Sequence, residues 1–354
     1  MLRAKPTVEA LKRYSAPLEG RRGKLRLDFN EAPLGPSPKV LEAIRALGPE
    51  YYAAYPEYDG LNQAFATSVG VKADQVACFG GVDAAIRAVF DSFGTAGSTF
   101  LTTSPTFGYY APCASLQGMR ICTVPYEEDL SFPLSAMRTA LADKPRICFI
   151  CNPNNPTGTQ LPAENLLALA QSAPDTLVVV DELYADFSGV TVLPSCLQLQ
   201  NVLVLRSLSK SRGLAGLRIG FALGNADLVD RVARVSGPYD INSFAVVAAQ
   251  SSLADDVHLN AAIAAVNESR RYVCATLNSL GVRFFAGRGN YLLVWPKQTL
   301  SEVVARLDKE FGILVRSMEG KELIGGAFRL TLGKKTDMIR FLSAFQQVER
   351  LNVS

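Results

Sequence analysis

Residues 207–220 read Ser-Leu-Ser-Lys-Ser-Arg-Gly-Leu-Ala-Gly-Leu-Arg-Ile-Gly, directly after the strand-like run Val202 to Arg206. The segment is short of large side chains wherever backbone has to pass close to something, and Lys210 stands in the middle of it. A lysine desolvated among cations loses its proton easily and becomes a nucleophile toward aldehydes. Ser207, Ser209 and Arg218 add hydroxyls and a forked guanidinium, the groups that bind a phosphate. Together they point to an aldehyde that carries a phosphate. A lone Ser-x-x-Lys is more economically a surface lysine in a Ser/Gly loop; the length of this string argues against that.

The string resembles the Ser-Lys-x-x-x-Leu-Ala-Gly-x-Arg segment of the fold-type I pyridoxal phosphate (PLP) enzymes, and within them the aminotransferases of the histidinol-phosphate type. The matching positions are Ser209, Lys210, Leu214, Ala215, Gly216 and Arg218, and the likeness runs from about the Asp28–Ser37 segment to the C-terminus. It implies that Lys210 bonds PLP covalently and that Arg218, with Ser207 and Ser209, holds the cofactor's phosphate.

Composition narrows the alternatives. The 354 residues suffice for two domains, and 48% apolar with 19% charged residues is ordinary for a soluble globular protein. A net charge of +3 gives no reason to expect a nucleic acid or a membrane as partner. No apolar run approaches the roughly 20 residues of a membrane helix. The basic first 26 residues lack the apolar core of a secretory signal, so a cytoplasmic protein is expected. Seven scattered cysteines do not read as a disulfide framework, and Cys148 and Cys151 are placed on opposite faces of a strand. With His258 as the single histidine, Ser-His-Asp chemistry and multi-histidine metal sites have nothing to be built from. Acid–base work falls to lysine, carboxylates or tyrosine.

Residues 1–36 read as an N-terminal arm ending in a Pro/Gly-punctuated segment. From there to about residue 245, β-rich runs alternate with amphipathic stretches. The runs are Val76–Phe79, Thr99–Thr103, Arg120–Val124, Arg146–Cys151, Leu177–Asp181, Val202–Arg206 and Leu217–Leu223. That alternation predicts an α/β large domain (37–245) with a mainly parallel seven-stranded sheet covered by helices. Residues 246–354 give helices around 299–311 and 335–350 with short strands between, a smaller α+β C-terminal domain.

Asp181 ends a run with no polar alternation, at the carboxyl edge where open parallel sheets bind ligands. Pyridoxal chemistry needs a carboxylate at the ring nitrogen, and Asp181 is the candidate, 29 residues before Lys210. The family's Asp-Glu-Ala-Tyr is here Asp181-Glu-Leu-Tyr184, which implies Tyr184 at the ring's phenolic oxygen. Asn152-Pro-Asn-Asn-Pro-Thr-Gly158 alone means a rigid turn; the resemblance puts Asn155 on the same oxygen. Phe79-Gly-Gly-Val-Asp83 joins a strand to a helix, and free amides there favour phosphate, so Gly81 and Val82 are main-chain candidates. The family's Asp-Glu at this point is Asp83-Ala84. Pro105-Thr-Phe-Gly-Tyr-Tyr110 implies Tyr110 stacked on the ring, with Phe107 and Tyr109 left to the core. Tyr55, before Pro56, implies a contact with the cofactor phosphate of a neighbouring subunit, hence a homodimer with shared active sites.

A substrate carboxylate calls for a bidentate arginine. Phe328-Arg-Leu-Thr-Leu-Gly333 matches the family's strand and nominates Arg329, with Asn290 supporting it. Arg316 is placed at the far end of the substrate, which in the family can be a phosphate. Tyr14 and Arg22 in the arm are placed over the substrate. The expected reaction is transamination between an amino acid or amino-alcohol phosphate and a 2-oxo acid, L-histidinol phosphate and 2-oxoglutarate first. An aromatic amino-acid aminotransferase and a threonine-phosphate decarboxylase-like lyase share the cofactor motifs. A non-enzymatic PLP-binding regulator is disfavoured, because the arm is too short for a DNA-binding domain.

Overall fold

Successive strand residues face opposite ways, so a strand that is apolar at every position needs cover on both sides. The computed structural model, which describes residues 2–11 and 19–350, supplies that cover. Its strands are β1 Leu25–Leu27, β2 Val76–Phe79, β3 Thr99–Ser104, β4 Arg120–Pro125, β5 Ile147–Cys151, β6 Leu177–Asp181, β7 Val202–Ser207, β8 Gly220–Gly224, β9 Arg283–Phe285, β10 Tyr291–Trp295, β11 Ile313–Ser317 and β12 Phe328–Thr331. The large sheet has the order β2-β8-β7-β6-β5-β3-β4, and β8 alone runs against its neighbours.

The central strands sort their side chains by parity. Cys148, Ile150, Val178, Val180, Val202 and Val204 pack in one core with the helices Asp59–Val69 and Ala163–Ser172. Phe149, Cys151, Val179, Leu203 and Leu205 pack in another with the helix Val82–Phe93. Each fully buried Val, Leu or Phe contributes about 1.5–3 kcal/mol, so a one-residue slip of any central strand would exchange two whole sets of contacts. Cys148 and Cys151 do fall on opposite faces.

The second sheet, β1-β11-β12-β10-β9, has a core of its own under the helices Asp256–Ser279, Leu300–Phe311 and Lys335–Glu349. Two boundaries differ from the sequence reading. Leu25–Leu27, within the expected arm, pairs in parallel with Ile313–Val315 and forms the edge of this sheet. Residue 245 lies inside the helix Ser243–Leu253, whose Ala245, Ala248, Ala249 and Leu253 belong to the first core. The change of core comes after Leu253 and before Val266. The run Leu217–Leu223 also begins later as a strand, at Gly220, because Arg218 takes a left-handed φ of 57° after a short 3-10 turn. No helix among the described residues is long and apolar enough to cross a membrane.

Candidate active site

The carboxyl edge of the large sheet gathers the ends of β2, β3, β5, β6 and β7. Beside them the segment through Phe29 and Asn30 and strands β11 and β12 close a cavity of about 350 Å³. Its wall carries Val82, Asn155, Tyr184, Ser207, Ser209, Lys210, Arg218, Arg316 and Arg329 of the residues nominated above. Sequence positions from 82 to 329 thus converge because strand order, not chain order, sets the edge.

Lys210 leaves the loop after β7 and its Nζ donates to the Phe29 carbonyl at 2.8 Å. Burial, and then the charge of Arg329, bring its ammonium down from the ordinary 10.5 to about 8. This amine is still mainly ammonium at pH 7, but it gives up its proton far more readily than an ordinary lysine. Asp181, 2% exposed, lies just behind the wall at the end of β6. Its Oδ2 accepts from the Tyr110 hydroxyl at 2.5 Å and its Oδ1 from the Leu183 N–H at 3.2 Å. Burial pushes this carboxyl up to about 6 against those two bonds. Tyr184 accepts a bond from Asn30 Nδ2 at 2.9 Å, and burial raises its phenol.

Arg329 is 8% exposed and tightly held. Its Nη1 donates to Asn155 Oδ1, its Nη2 to the Asp28 carbonyl at 2.6 Å, and its Nε has no partner. An orphaned N–H on a buried guanidinium costs about 1–3 kcal/mol unless a ligand meets it. Arg316 lines the same cavity. It is the direct cross-strand partner of Arg329 in the antiparallel β11–β12 pair, and opposed residues share a face.

Several nominated residues have other duties. The Ser207 hydroxyl gives its one proton to the Ile219 carbonyl and accepts from Ser209 N–H at 3.0 Å. A phosphate only accepts, so here Ser207 holds the turn. The Gly81 N–H is likewise spent, on the Phe79 carbonyl at 2.6 Å, which leaves the Val82 amide as first of its helix. Gly81 still matters by what it lacks: at its φ of 89°, a Cβ would lie 2.6 Å from Arg218 Nη2. Arg218 pairs with Asp83 at 2.9 Å, so the aspartate beside the altered Ala84 is used. Tyr110 does not line the cavity. It is fully buried with its ring 4.7 Å from that of Phe149, and of the aromatics in this segment the one on the wall is Phe107. Asn290 is also off the wall, donating to the carbonyls of Asn30 and Glu31 and so holding that segment in place. Tyr55 is 73% exposed, stacked on Tyr239 away from this cavity. Tyr14 lies outside the described residues.

Asn30, Phe29 and Phe107 were not singled out by sequence. Asn30 adopts φ 55° and clamps Thr331 through both its N–H and its side chain. The signal lay in Asp28-Phe-Asn-Glu, an asparagine suited to a left-handed position, read there only as the end of the arm.

The pieces fit PLP. The Val82 amide, Ser209 and Arg218 stand together for a phosphate, and Phe107 gives a flat apolar wall. A nucleophilic lysine lines the space between, the buried Asp181 lies behind its wall, and the Arg329 Nε has no partner.

Comparison with known proteins agrees. The family model "Aminotransferase class I and II" matches residues 22–345. A histidinol-phosphate aminotransferase 1 of Bordetella parapertussis is 33% identical over 97% of this chain and 98% of its own. That of Moorella thermoacetica is 30% identical over 93% of this chain and 86% of its own. Among solved structures, the histidinol-phosphate aminotransferase of Sinorhizobium meliloti in complex with pyridoxal-5'-phosphate superimposes with a TM-score of 0.91 at 26% identity, covering 99% of this chain and 98% of the other. Fold, cavity and family thus coincide: the chain belongs to the class I and II aminotransferases, the PLP-dependent enzymes of fold type I.

Proposed function

We propose that this enzyme transfers the amino group of a phosphorylated amino compound, L-histidinol phosphate in the first place, to 2-oxoglutarate. The observation that carries the reading is the Arg316–Arg329 pair, two guanidiniums opposed on neighbouring strands and both on the wall beside Lys210. One arginine suffices for a carboxylate; two together match the double charge and three acceptor oxygens of a phosphate. The relatives' names agree with that choice of donor.

When bound, PLP supplies the aldehyde that takes the donor's amine and the ring that accepts the electron pair left on the donor's Cα. The protein does the positioning and the proton transfer. The Val82 amide, Ser209 and Arg218 bind the cofactor phosphate, and Phe107 covers the ring. Asp181 holds the proton on the ring nitrogen, and Tyr184 and Asn155 reach the phenolic oxygen. Arg316 and Arg329 orient the donor so that the neutral Lys210 Nζ takes the Cα proton. Asn155 bonds Arg329 directly, so donor and cofactor are aligned through one side chain. The exposed Tyr55 serves the site of a second copy, making the working unit a homodimer.

The test is the half-reaction followed by the cofactor's absorbance, with histidinol phosphate, phenylalanine, tyrosine and glutamate offered as donors. Histidinol phosphate should react with the lowest KM. A preference for phenylalanine or tyrosine over it would replace this reading with an aromatic aminotransferase, and carbon dioxide released from threonine phosphate would replace it with a lyase.

A further inference from the structure

Tyr110 and Asp181 are both buried to within 2% of complete and meet at 2.5 Å, the tyrosine hydroxyl donating to Oδ2. The chain around them makes the contact rigid. Tyr110 opens the helix Tyr110–Leu116, and its ring is packed between Phe149, at 4.7 Å, and Phe107, at 5.5 Å. Asp181 is the last residue of β6, in register with Cys151 of β5 on one side and Leu205 of β7 on the other; its carbonyl accepts from the Asn152 N–H at 2.8 Å, and the next N–H, of Glu182, donates to the Leu205 carbonyl at 2.9 Å. The second oxygen of the carboxylate is fixed by the Leu183 N–H. The charged and titratable groups around this carboxylate are Asp83 and Glu182, with the Tyr184 phenol near it and the Cys151 thiol beside both it and Tyr110. None of these is a cation, and the neighbouring arginines are paired elsewhere, Arg206 with Glu182 at 3.1 Å and Arg218 with Asp83 at 2.9 Å. Tyr110 is thus the one side chain among the described residues that donates a hydrogen bond to Asp181.

A carboxylate this deeply buried, with no cation bonded to it, tends to take up a proton. If it did so opposite the cofactor's ring nitrogen, the proton shared by the two would rest on oxygen, and the ring would lose its power to accept electrons. A hydrogen bond donated to the carboxylate favours its ionised form. We propose that Tyr110 is a positioning residue acting through Asp181: its hydroxyl keeps the carboxylate ionised and aimed, and thereby keeps the shared proton on the ring nitrogen. This rests on the PLP-dependent reading of the cavity and adds a residue that never touches the ring. It also explains why a tyrosine that sequence places against the cofactor is found behind the sheet edge.

Tyr110→Phe removes the hydroxyl and retains the ring packing. Wild-type and variant holoenzymes are loaded with PLP labelled with 15N in the ring, and the nitrogen's chemical shift is followed across pH. Wild type should show a protonated nitrogen near neutral pH. The variant should show the equilibrium displaced toward the unprotonated ring by roughly ten- to hundredfold, the worth of one hydrogen bond to a charged group. The same substitution in an Asp181→Asn background should leave the shift unchanged, since its route is gone. An identical 15N titration in wild type and Tyr110→Phe overturns the proposal, whatever the activity or melting temperature does. So does an equal displacement in the Asp181→Asn background. A wild-type protein that takes up no PLP overturns the reading of the site along with it, which separates the two failures.

Discussion

Replacing Lys210 by methionine in the cofactor-free protein tests the electrostatics of the site without any chemistry. Burial and Arg329 lower this lysine from 10.5 to about 8 on folding. At about 1.4 kcal/mol for each tenfold in proton affinity, holding the ammonium costs the folded chain about 3 kcal/mol. The folded value is the lower one, so the native chain binds fewer protons between the two. The penalty is complete below pH 8, fades as pH rises toward 10.5, and is gone above it. Methionine is one atom shorter, unbranched and uncharged, and forfeits the bond from Nζ to the Phe29 carbonyl, a loss of about 1 kcal/mol. The variant should therefore be more stable than wild type by about 2 kcal/mol at pH 7 and slightly less stable near pH 11. Urea unfolding of both proteins at pH 7, 9 and 11 measures this, with midpoints compared at a shared slope. A gap of the same size at every pH, or a less stable variant at pH 7, would refute the reasoning.

Two further substitutions probe the two anion sites separately. Arg316→Met removes half of the paired guanidiniums and should raise the KM for histidinol phosphate by about ten- to hundredfold. The KM for phenylalanine, which carries a single carboxylate for Arg329, should rise less; steady-state kinetics on both donors decides. Gly81→Ala puts a Cβ 2.6 Å from Arg218 Nη2 at a φ of 89°. It should weaken PLP binding by at least tenfold in a fluorescence titration and cost about 1–3 kcal/mol of stability.

How much of this was legible in the sequence depended on the range of the interaction. The central strands announce themselves because Val178-Val-Val is apolar at every position, which only a doubly covered strand tolerates. Asp181 and Lys210 stood out because each ends or follows such a run, and Arg329 because Phe328-Arg-Leu-Thr-Leu-Gly333 resembles the family's strand. Leu25–Leu27 was missed because three residues carry no period, and its partner Ile313–Val315 lies far along the chain. The exchange between Phe107 and Tyr110 has a local cause. Which aromatic faces the cavity depends on where the helix starts; it starts at Tyr110, so Phe107 is left in the preceding turn, on the cavity wall. Spacing alone does not fix that start. Arg218 likewise reads as part of a strand by composition, yet its left-handed backbone brings the guanidinium to Asp83.

The charges on the cavity wall have a consequence for the proton that must move. Lys210, Arg218, Arg316, Lys321 and Arg329 line it, against the single carboxylate of Asp83. Such a surplus draws in anions, and the proposed reaction calls for two of them, the cofactor's phosphate and the donor's acidic group. The same surplus, through Arg329 above all, helps to strip the proton from Lys210. Before a donor binds, the lysine is thereby neutral enough to act as a nucleophile. An anion bound between Arg316 and Arg329 cancels the charge that lowers the lysine's proton affinity, so the amine becomes a stronger base as the donor's Cα–H arrives beside it. When the product's anion leaves, Arg329 again faces Lys210 unscreened and helps it to release the proton it has taken. Anion binding and the basicity of Lys210 are thereby coupled through Arg329, which strand β12 sets on the same wall.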